Sequence, residues 1–167
     1  FIPVRMAILT VSDTRTADDD VSGNRLVELA TLAGHEIAAR AMVRDDIADI
    51  RFQVEKWIND EAIDCIISTG GTGFTGRDVT PEAIRPLFDK EIDGFSVLFH
   101  MISYRAVATS TMQSRACAGL VRGTYIFCLP GSPGAVRDAW DGILKFQLDA
   151  RHRPCNLVEI MPRLLER

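Results

Sequence analysis

The 167-residue chain lacks the residue patterns of several common classes of protein. Its four cysteines are scattered without a CxxC pair, and its three histidines are not spaced like metal ligands. These absences argue against a disulfide framework and a zinc site, and they favour a reducing, cytoplasmic environment. No apolar run is long enough to span a bilayer and no signal peptide is recognisable, so we expect no association with a membrane.

An excess of positive charge is also lacking. The net charge is −4, with 47% hydrophobic and 25% charged residues. This composition is typical of a globular protein, and it gives no reason to expect binding to nucleic acid. The length fits one domain over residues 1–167. The chain begins with Phe1 rather than methionine, and we expect a few residues to precede it.

Segments with strand and helix patterns alternate along the chain. The predicted strands span residues 6–11, 37–43, 63–68, 116–121 and 125–129. The predicted helices span residues 26–33, 47–58, 81–88, 94–104 and 133–148. Because the first strands are continuously apolar and separated by helices, we expect a three-layer α/β/α fold with a mostly parallel central sheet. A tight turn at Arg122-Gly123 predicts an antiparallel hairpin near 116–129.

Glycine is concentrated in one stretch, residues 65–82. A β-branched apolar segment leads into four glycines, and a helix start follows at Thr80-Pro81. Glycines let the backbone come close to a ligand, and a helix N-terminus adds partial positive charge at the same place. The pattern therefore predicts a phosphate site. Its candidate ligand-binding residues are Thr69, Gly70, Gly71, Thr72 and Gly73.

Two common glycine-loop motifs do not explain this stretch. No Gly-Lys-Ser/Thr sequence follows, which excludes a Walker A loop. The Gly-x-Gly-x-x-Gly pattern that begins at Gly71 matches the dinucleotide fingerprint only weakly. The acids about 20 residues later, Glu91 and Asp93, lie in helical sequence rather than after a strand. A nicotinamide enzyme stays an alternative, which a titration with NADH tests.

Two carboxylates are placed to act with the glycine loop. Asp78 lies inside the loop, and Thr80 followed by Pro81 is expected to cap the next helix in its place. Asp45 ends the second predicted strand, where Asp46 can cap the following helix instead. Two carboxylates over a phosphate loop suit Mg²⁺, which favours one or two carboxylates together with phosphate oxygens. A simple capping role is the alternative for each aspartate.

Two further loops are expected beside the glycine loop, because the carboxyl ends of parallel strands lie at one edge of a sheet. One follows the first strand, and the other precedes the helix at 133–148, where a serine can both cap the helix and contact phosphate. The candidate substrate-binding residues on these loops are Ser12, Asp13, Pro130, Gly131 and Ser132. The sequence therefore predicts a single pocket with contributions from several loops.

The stretch from Ser110 to Arg115 is rich in hydroxyl groups and ends in a guanidinium. Ser114 and Arg115 are candidates for binding an anion, and a surface arginine without a ligand explains the pattern equally well. The run Asp18–Asp20 is predicted to be a solvated loop.

With these residues in view, the chain resembles the MoaB/MogA family of molybdenum cofactor biosynthesis proteins over nearly its whole length. The similar stretches are LTVSDTRT at 9–16, STGGTGFTGRDVTPEA at 68–83, FDKEIDGF at 88–95, TSTMQSRA at 109–116 and LPGSPGA at 129–135. The glycine block combined with the later PGSP loop is highly specific. The FDKEIDGF and TSTMQSRA stretches, together with RPCN at 153–156, are most similar to the MoaB branch.

The resemblance implies an α/β/α protein that forms trimers, sometimes paired into hexamers, and that acts with other molybdenum cofactor enzymes. It implies binding of molybdopterin, a pterin with a dithiolene and a terminal phosphate. Active members join this phosphate to AMP from Mg²⁺-ATP and release pyrophosphate. Carried over by position, the family's catalytic and metal-binding acidic pair falls on Asp45 and Asp78, and Ser12 and Asp13 border the nucleotide side. The glycine motif and the second loop fall on Gly70, Gly71, Gly73, Gly131 and Ser132.

Two functions remain open within this family. One is a molybdopterin adenylyltransferase, and the other is a molybdopterin-binding or scaffold protein with little or no activity, because the MoaB branch is not uniformly catalytic. Some relatives carry a lysine where this chain has Gly134. Loss of a cation that reaches phosphate lowers affinity or rate, since a charged hydrogen bond contributes about 1.5–3 kcal/mol.

Overall fold

A computed structural model describes residues 1–166, and Arg167, which belongs to the predicted domain 1–167, lies outside the described residues. The strands are β1 (Arg5–Val11), β2 (Glu36–Val43), β3 (Cys65–Thr69), β4 (Lys90–Glu91), β5 (Cys117–Val121) and β6 (Thr124–Leu129). The helices are α1 (Val21–Leu32), α2 (Ile47–Ile58), α3 (Thr80–Ile84), α4 (Asp93–Val107), α5 (Pro133–Ala139), α6 (Lys145–Gln147) and α7 (Leu157–Ile160). A π-helical segment, Trp140–Leu144, joins α5 to α6. No helix in this part of the chain is long and apolar enough to cross a membrane.

Within residues 1–166 the strands form one six-stranded sheet in the order β2-β1-β3-β6-β5-β4. β2, β1, β3 and β6 run parallel to one another. β5 runs antiparallel to β6, and β4 runs antiparallel to β5. The prediction of a mostly parallel sheet with an antiparallel hairpin is confirmed. The hairpin turns at Arg122 and Gly123, whose φ values of 48° and 89° suit a two-residue hairpin turn. The edge strand β4 is not predicted by the sequence, because two residues carry no periodic pattern.

Helices cover both faces of the sheet, so the fold has the three predicted layers. On one face Leu26 of α1 and Phe99 of α4 pack in a core that includes Ile8 of β1. On the other face Val54 of α2 packs in a second core that includes Leu9 of β1. Successive side chains of β1 enter opposite cores because they alternate along a strand. Each such buried side chain contributes about 1.5–3 kcal/mol.

The carboxyl ends of three parallel strands meet at one edge of the sheet. Thr10 of β1, Thr69 of β3 and Leu129 of β6 lie in register across this edge. The loops that follow these strands therefore lie side by side, as predicted. This edge is where an open α/β sheet binds its ligands.

Asp20 corrects the prediction that the run Asp18–Asp20 is a solvated loop. Its side chain is only 1% exposed and pairs with Arg40 at 2.9 Å. It accepts hydrogen bonds from the Thr10 hydroxyl at 2.6 Å and from the Gly23 N–H at 2.9 Å. Burial raises the pKa of Asp20, but these partners outweigh burial and hold the pKa below its ordinary value. Asp20 is therefore a helix cap that ties α1 to β1 and β2.

Candidate functional site

The glycine loop can follow its path only with glycine at two positions. Gly70 and Gly71 have φ values of 106° and 67°. A Cβ on Gly70 would lie 2.1 Å from the backbone oxygen of Val11, and a Cβ on Gly71 would lie 2.9 Å from Oδ1 of Asp45. Both contacts are too short for a real side chain. Glycine therefore lets the end of β1 and the Asp45 carboxylate come close to this loop.

Thr80 supports the glycine loop instead of capping α3, which corrects the predicted cap. Thr80 is the first residue of α3, and Val79 occupies the cap position without a side-chain hydrogen bond. The buried Thr80 hydroxyl donates to the Gly70 carbonyl at 2.9 Å, and the Thr80 N–H donates to the Gly71 carbonyl at 3.0 Å. A buried hydroxyl must find an acceptor, and the loop supplies one. Thr80 therefore fixes the loop above α3.

Thr75 holds Asp78 within the loop. Oδ2 of Asp78 accepts a hydrogen bond from the Thr75 N–H at 2.8 Å and another from the Thr75 hydroxyl at 2.6 Å. Burial raises the pKa of Asp78, but the hydrogen bonds from Thr75 and from the Gly73 backbone outweigh it, so the pKa lies below its ordinary value. Asp78 is consequently ionised at neutral pH and fixed in position.

Asp45 is half-buried and does not cap a helix. Asp46 caps α2 by accepting hydrogen bonds from two backbone N–H groups of the first turn, at 2.8 and 3.0 Å. Burial raises the pKa of Asp45 above its ordinary value, and the negative charges of Asp13 and Asp78 add to this effect. Ionised Asp45 therefore costs free energy in the folded protein, and a bound cation would remove that cost.

Asp13 links the first-strand loop to both Asp45 and Arg77. Oδ1 of Asp13 accepts the Asp45 N–H at 3.2 Å, and Oδ2 accepts Nε of Arg77 at 2.6 Å and also pairs with its Nη2. The hydrogen bond from Arg77 lowers the pKa of Asp13 below its ordinary value. In the same loop, the Ser12 hydroxyl accepts the Arg15 N–H at 3.1 Å. All five of these residues therefore border one space at the edge of the sheet.

The Pro130–Ser132 loop is fixed against the glycine loop and α1. The Thr69 hydroxyl donates to the Pro130 carbonyl at 3.0 Å, and the Ser22 hydroxyl donates to the Gly131 carbonyl at 2.7 Å. Ser132 accepts the Ala135 N–H at 3.1 Å, which confirms Ser132 as the cap of α5. These bonds give the loop a defined position between its neighbours.

Arg115 is directed toward protein groups and clamps the glycine loop. Its guanidinium donates to the backbone oxygens of Gly73 at 2.8 Å and Asp78 at 2.9 Å. It also pairs with Glu82 and lies 5.5 Å from the ring centre of Phe74. Because protein acceptors engage it from several sides, the structure favours a positioning role for Arg115 over the predicted binding of an anion.

Two clefts open on either side of the Pro130–Ser132 loop. The wide cleft has a volume of ≈ 550 Å³ and includes the apolar side chains of Phe99 and Val107. The acidic cleft has a volume of ≈ 400 Å³. The predicted residues that line the wide cleft are Thr72, Gly73, Ser114, Pro130, Gly131 and Ser132. Those that line the acidic cleft are Ser12, Asp13, Asp45, Gly70, Gly71, Asp78, Gly131 and Ser132.

Some predicted residues lie outside these clefts, and other residues that line them were not predicted from the sequence. Thr69 and Arg115 line neither cleft and support the loops from behind. Arg15 and Arg77 line the acidic cleft, and Phe99 of α4 lines the wide cleft. The two arginines stand in the same motifs as the predicted acids, which was the available signal. The sequence around Phe99 gave no such signal, because its helix approaches the site only in the folded chain.

The acidic cleft offers oxygen ligands rather than a complete metal cage. Among residues 1–166, no group of three His, Cys, Asp or Glu side chains is arranged to hold a metal ion. Asp45 and Asp78 line the same cleft and interact electrostatically. Such a pair suits Mg²⁺, which is commonly held by one or two carboxylates together with phosphate oxygens and water.

Comparisons with known proteins show similarity to one family. The model of the molybdenum cofactor biosynthesis family, described as "Probable molybdopterin binding domain", matches residues 7–150. Molybdenum cofactor biosynthesis protein B of Escherichia coli (strain K12) is 49% identical over 156 residues, which cover 93% of this chain and 92% of that protein. A crystal structure of a molybdenum cofactor biosynthesis protein B matches with a TM-score of 0.86 at 44% identity, covering 88% of this chain and 92% of that chain.

A second solved structure extends the comparison. The tungsten cofactor synthesizing protein MoaB from Pyrococcus furiosus matches with a TM-score of 0.79 at 34% identity, covering 87% of this chain and 92% of that chain. Both clefts and the glycine loop lie within the residues that the family model matches. The chain therefore belongs to the molybdenum cofactor biosynthesis family, with a molybdopterin-binding domain and with MoaB proteins among its relatives.

Proposed function

We propose that the protein joins the terminal phosphate of molybdopterin to AMP from Mg²⁺-ATP and releases pyrophosphate. The observation that supports this most is the meeting of two unlike clefts at Gly131 and Ser132. A pterin suits the wide cleft, because the half-exposed side chain of Val107 offers apolar surface there and Phe99 lies beneath it in the core. The triphosphate with its cation suits the acidic cleft, which contains the carboxylates.

The carboxylate oxygens in the acidic cleft are suitable ligands for Mg²⁺. Both hydrogen bonds from Thr75 are accepted by Oδ2 of Asp78, so we assign Oδ1 to the cation. We assign Asp45 as the second ligand, because it lines the same cleft as Asp78 and its charge is disfavoured there by burial, which raises its pKa. When bound, Mg²⁺ would neutralise charge on the ATP phosphates. The residues present therefore supply the acidic half of a Mg²⁺-nucleotide site.

The other residues of the site position the two substrates for reaction. An oxygen of the pterin phosphate attacks the α-phosphorus where the two clefts meet. One O–P bond forms in line as the bond to the pyrophosphate oxygen breaks, and the electron pair leaves with pyrophosphate. The glycine loop and the loop at Ser132 are placed to hold the phosphates through backbone N–H groups. Orientation and charge stabilisation of this kind supply most of the acceleration in phosphoryl transfer.

The test is to incubate the pure protein with molybdopterin, ATP and Mg²⁺. We expect one pyrophosphate and one adenylyl-molybdopterin for each pterin consumed. A binding or scaffold protein would bind molybdopterin and form neither product, which would overturn the proposed activity. A fluorescence titration with NADH is expected to show no saturation, whereas saturable binding would support the nicotinamide alternative.

We further propose that the protein works as a homotrimer or hexamer in the cytoplasm, with other molybdenum cofactor enzymes as partners. Five large apolar side chains of α4 are 47–58% exposed, namely Val97, Leu98, Met101, Tyr104 and Val107. Val97, Met101 and Tyr104 recur at helical spacing, so they lie on one face of the helix. Contiguous exposed apolar surface is typical of contacts between proteins. This face supports assembly of copies of the chain.

A further inference from the structure

The acidic cleft contains the positively charged side chain of Arg77, to which the proposed reaction assigns no role. The Arg77 side chain is 75% exposed and pairs with Asp13. The other guanidinium of the cleft, that of Arg15, donates to the Gly131 carbonyl at 3.2 Å and to the Ser22 hydroxyl at 3.4 Å. Arg15 is therefore tied to the Pro130–Ser132 loop, whereas Arg77 is held by one carboxylate alone among the described residues.

The contact between Arg77 and Asp13 does not have the best geometry for an arginine. Nε and Nη2 of Arg77 both bond to the single oxygen Oδ2 of Asp13. The strongest pairing uses two parallel hydrogen bonds to two oxygens, and a phosphate offers two such oxygens. Because the Arg77 side of this ion pair is 75% exposed, solvent weakens the pair, so exchanging Asp13 for another anion costs Arg77 little. Arg77 is therefore poised to change partners.

We propose that Arg77 leaves Asp13 when the nucleotide binds and holds the β- and γ-phosphates of ATP, which become the pyrophosphate product. This inference rests on the proposed function. The reacting α-phosphorus belongs where the two clefts meet, at Gly131 and Ser132. The exposed rim, where Arg77 lies, is then left for the two outer phosphates. Arg77 would stabilise the charge that the leaving pyrophosphate gains.

Asp13 has a positioning role in this exchange. It keeps Arg77 over the cleft in the free protein and competes with phosphate for the same guanidinium. Its Oδ1 stays bonded to the Asp45 N–H at 3.2 Å, so the loop need not move when Arg77 departs. Asp13→Asn should therefore weaken the competition and increase the affinity for pyrophosphate.

The test measures dissociation constants of the full chain for Mg²⁺-ATP, Mg²⁺-pyrophosphate and AMP by isothermal titration calorimetry. We expect Arg77→Ala to weaken binding of ATP and pyrophosphate by about tenfold or more and of AMP by less than about twofold, as for loss of one charge-assisted contact. Arg77→Lys should recover part of the lost affinity, because lysine keeps the positive charge but lacks the two parallel N–H donors of the guanidinium. Asp13→Asn should tighten pyrophosphate binding.

The matched control is Arg25→Ala, which removes another exposed arginine whose Nη1 pairs with Glu28 at 2.7 Å on α1. Equal weakening of AMP and ATP by Arg77→Ala, or a loss no greater than that in the control, would overturn the role of Arg77. Weaker pyrophosphate binding by Asp13→Asn would overturn the exchange. If the unaltered protein binds neither ATP nor pyrophosphate, the proposed function itself fails, and this outcome is distinct from the others.

Discussion

At the scale of single residues, Asp45 shows how the site departs from what stability alone favours. Its carboxylate is half-buried, and burial together with the charges of Asp13 and Asp78 raises its pKa. An unfolded chain ionises the same group near its ordinary value of 3.8. The folded protein therefore loses stability at neutral pH by keeping Asp45 charged. The proposed binding of a cation would account for a charge at this position.

Asp45→Asn should stabilise the free protein at neutral pH. We expect Tm to rise by about 2 °C at pH 7, a modest value because the group is partly solvated. The gain should be complete above the raised pKa of Asp45, shrink as the pH falls through it, and vanish below the ordinary value of 3.8. Thermal unfolding over a pH series measures this. Asp18→Asn, which alters an exposed aspartate outside the acidic cleft, is the control, and a lower Tm for Asp45→Asn at pH 7 would contradict the account.

At the scale of elements, the glycine loop owes its shape to partners distant in sequence. Arg115 precedes β5, yet it bonds to the backbone at Gly73 and Asp78. Thr80 of α3 bonds to the carbonyls of Gly70 and Gly71. Together they hold both ends of the segment that carries the Asp78 carboxylate. The loop is therefore preorganised by contacts outside it.

Arg115→Lys should loosen this segment while keeping a positive charge. A lysine cannot reproduce the planar set of bonds to two backbone oxygens. We expect faster hydrogen exchange at amides 73–78 and a fall in kcat of about ten- to a hundredfold, as for a misplaced catalytic group. The affinity for molybdopterin should change far less. Arg122→Lys, at the exposed β5–β6 turn, is the control, and unchanged exchange in Arg115→Lys would refute the clamp.

The sequence was sufficient for the elements whose patterns are local. The strands other than β4, the hairpin at Arg122-Gly123 and the cap at Ser132 each depend on neighbouring residues, and the structure confirms them. The predictions for Asp20 and Thr80 were wrong because the partners of these side chains come from other elements. Arg115 illustrates the same limit, since its acceptor at Gly73 is 42 residues away. Periodicity and capping rules depend on neighbouring residues, so they cannot predict contacts between residues that are distant in sequence.

At the scale of the whole molecule, the apolar face of α4 is the surface through which we propose that copies of the chain assemble, and the trimer or hexamer is what the family resemblance implies. We expect the protein to have three or six times the chain mass of 18.5 kDa in multi-angle light scattering. Met101→Asp places a charge on that face and should yield single chains. Leu32→Asp alters α1 at a residue that is 78% exposed, and it should leave the assembly intact. A wild-type protein of single-chain mass, or an assembled Met101→Asp variant, would contradict the prediction.

The central claim is that the acidic cleft performs adenylylation while the wide cleft binds the pterin. The most direct measurement compares Asp78→Asn with the unaltered protein in two assays, formation of adenylyl-molybdopterin and affinity for molybdopterin. Because Asp78 lines only the acidic cleft, we expect the product to fall below detection while the affinity changes by less than about twofold. Normal turnover by Asp78→Asn, or a parallel loss of molybdopterin binding, would contradict the division of the site into these two clefts.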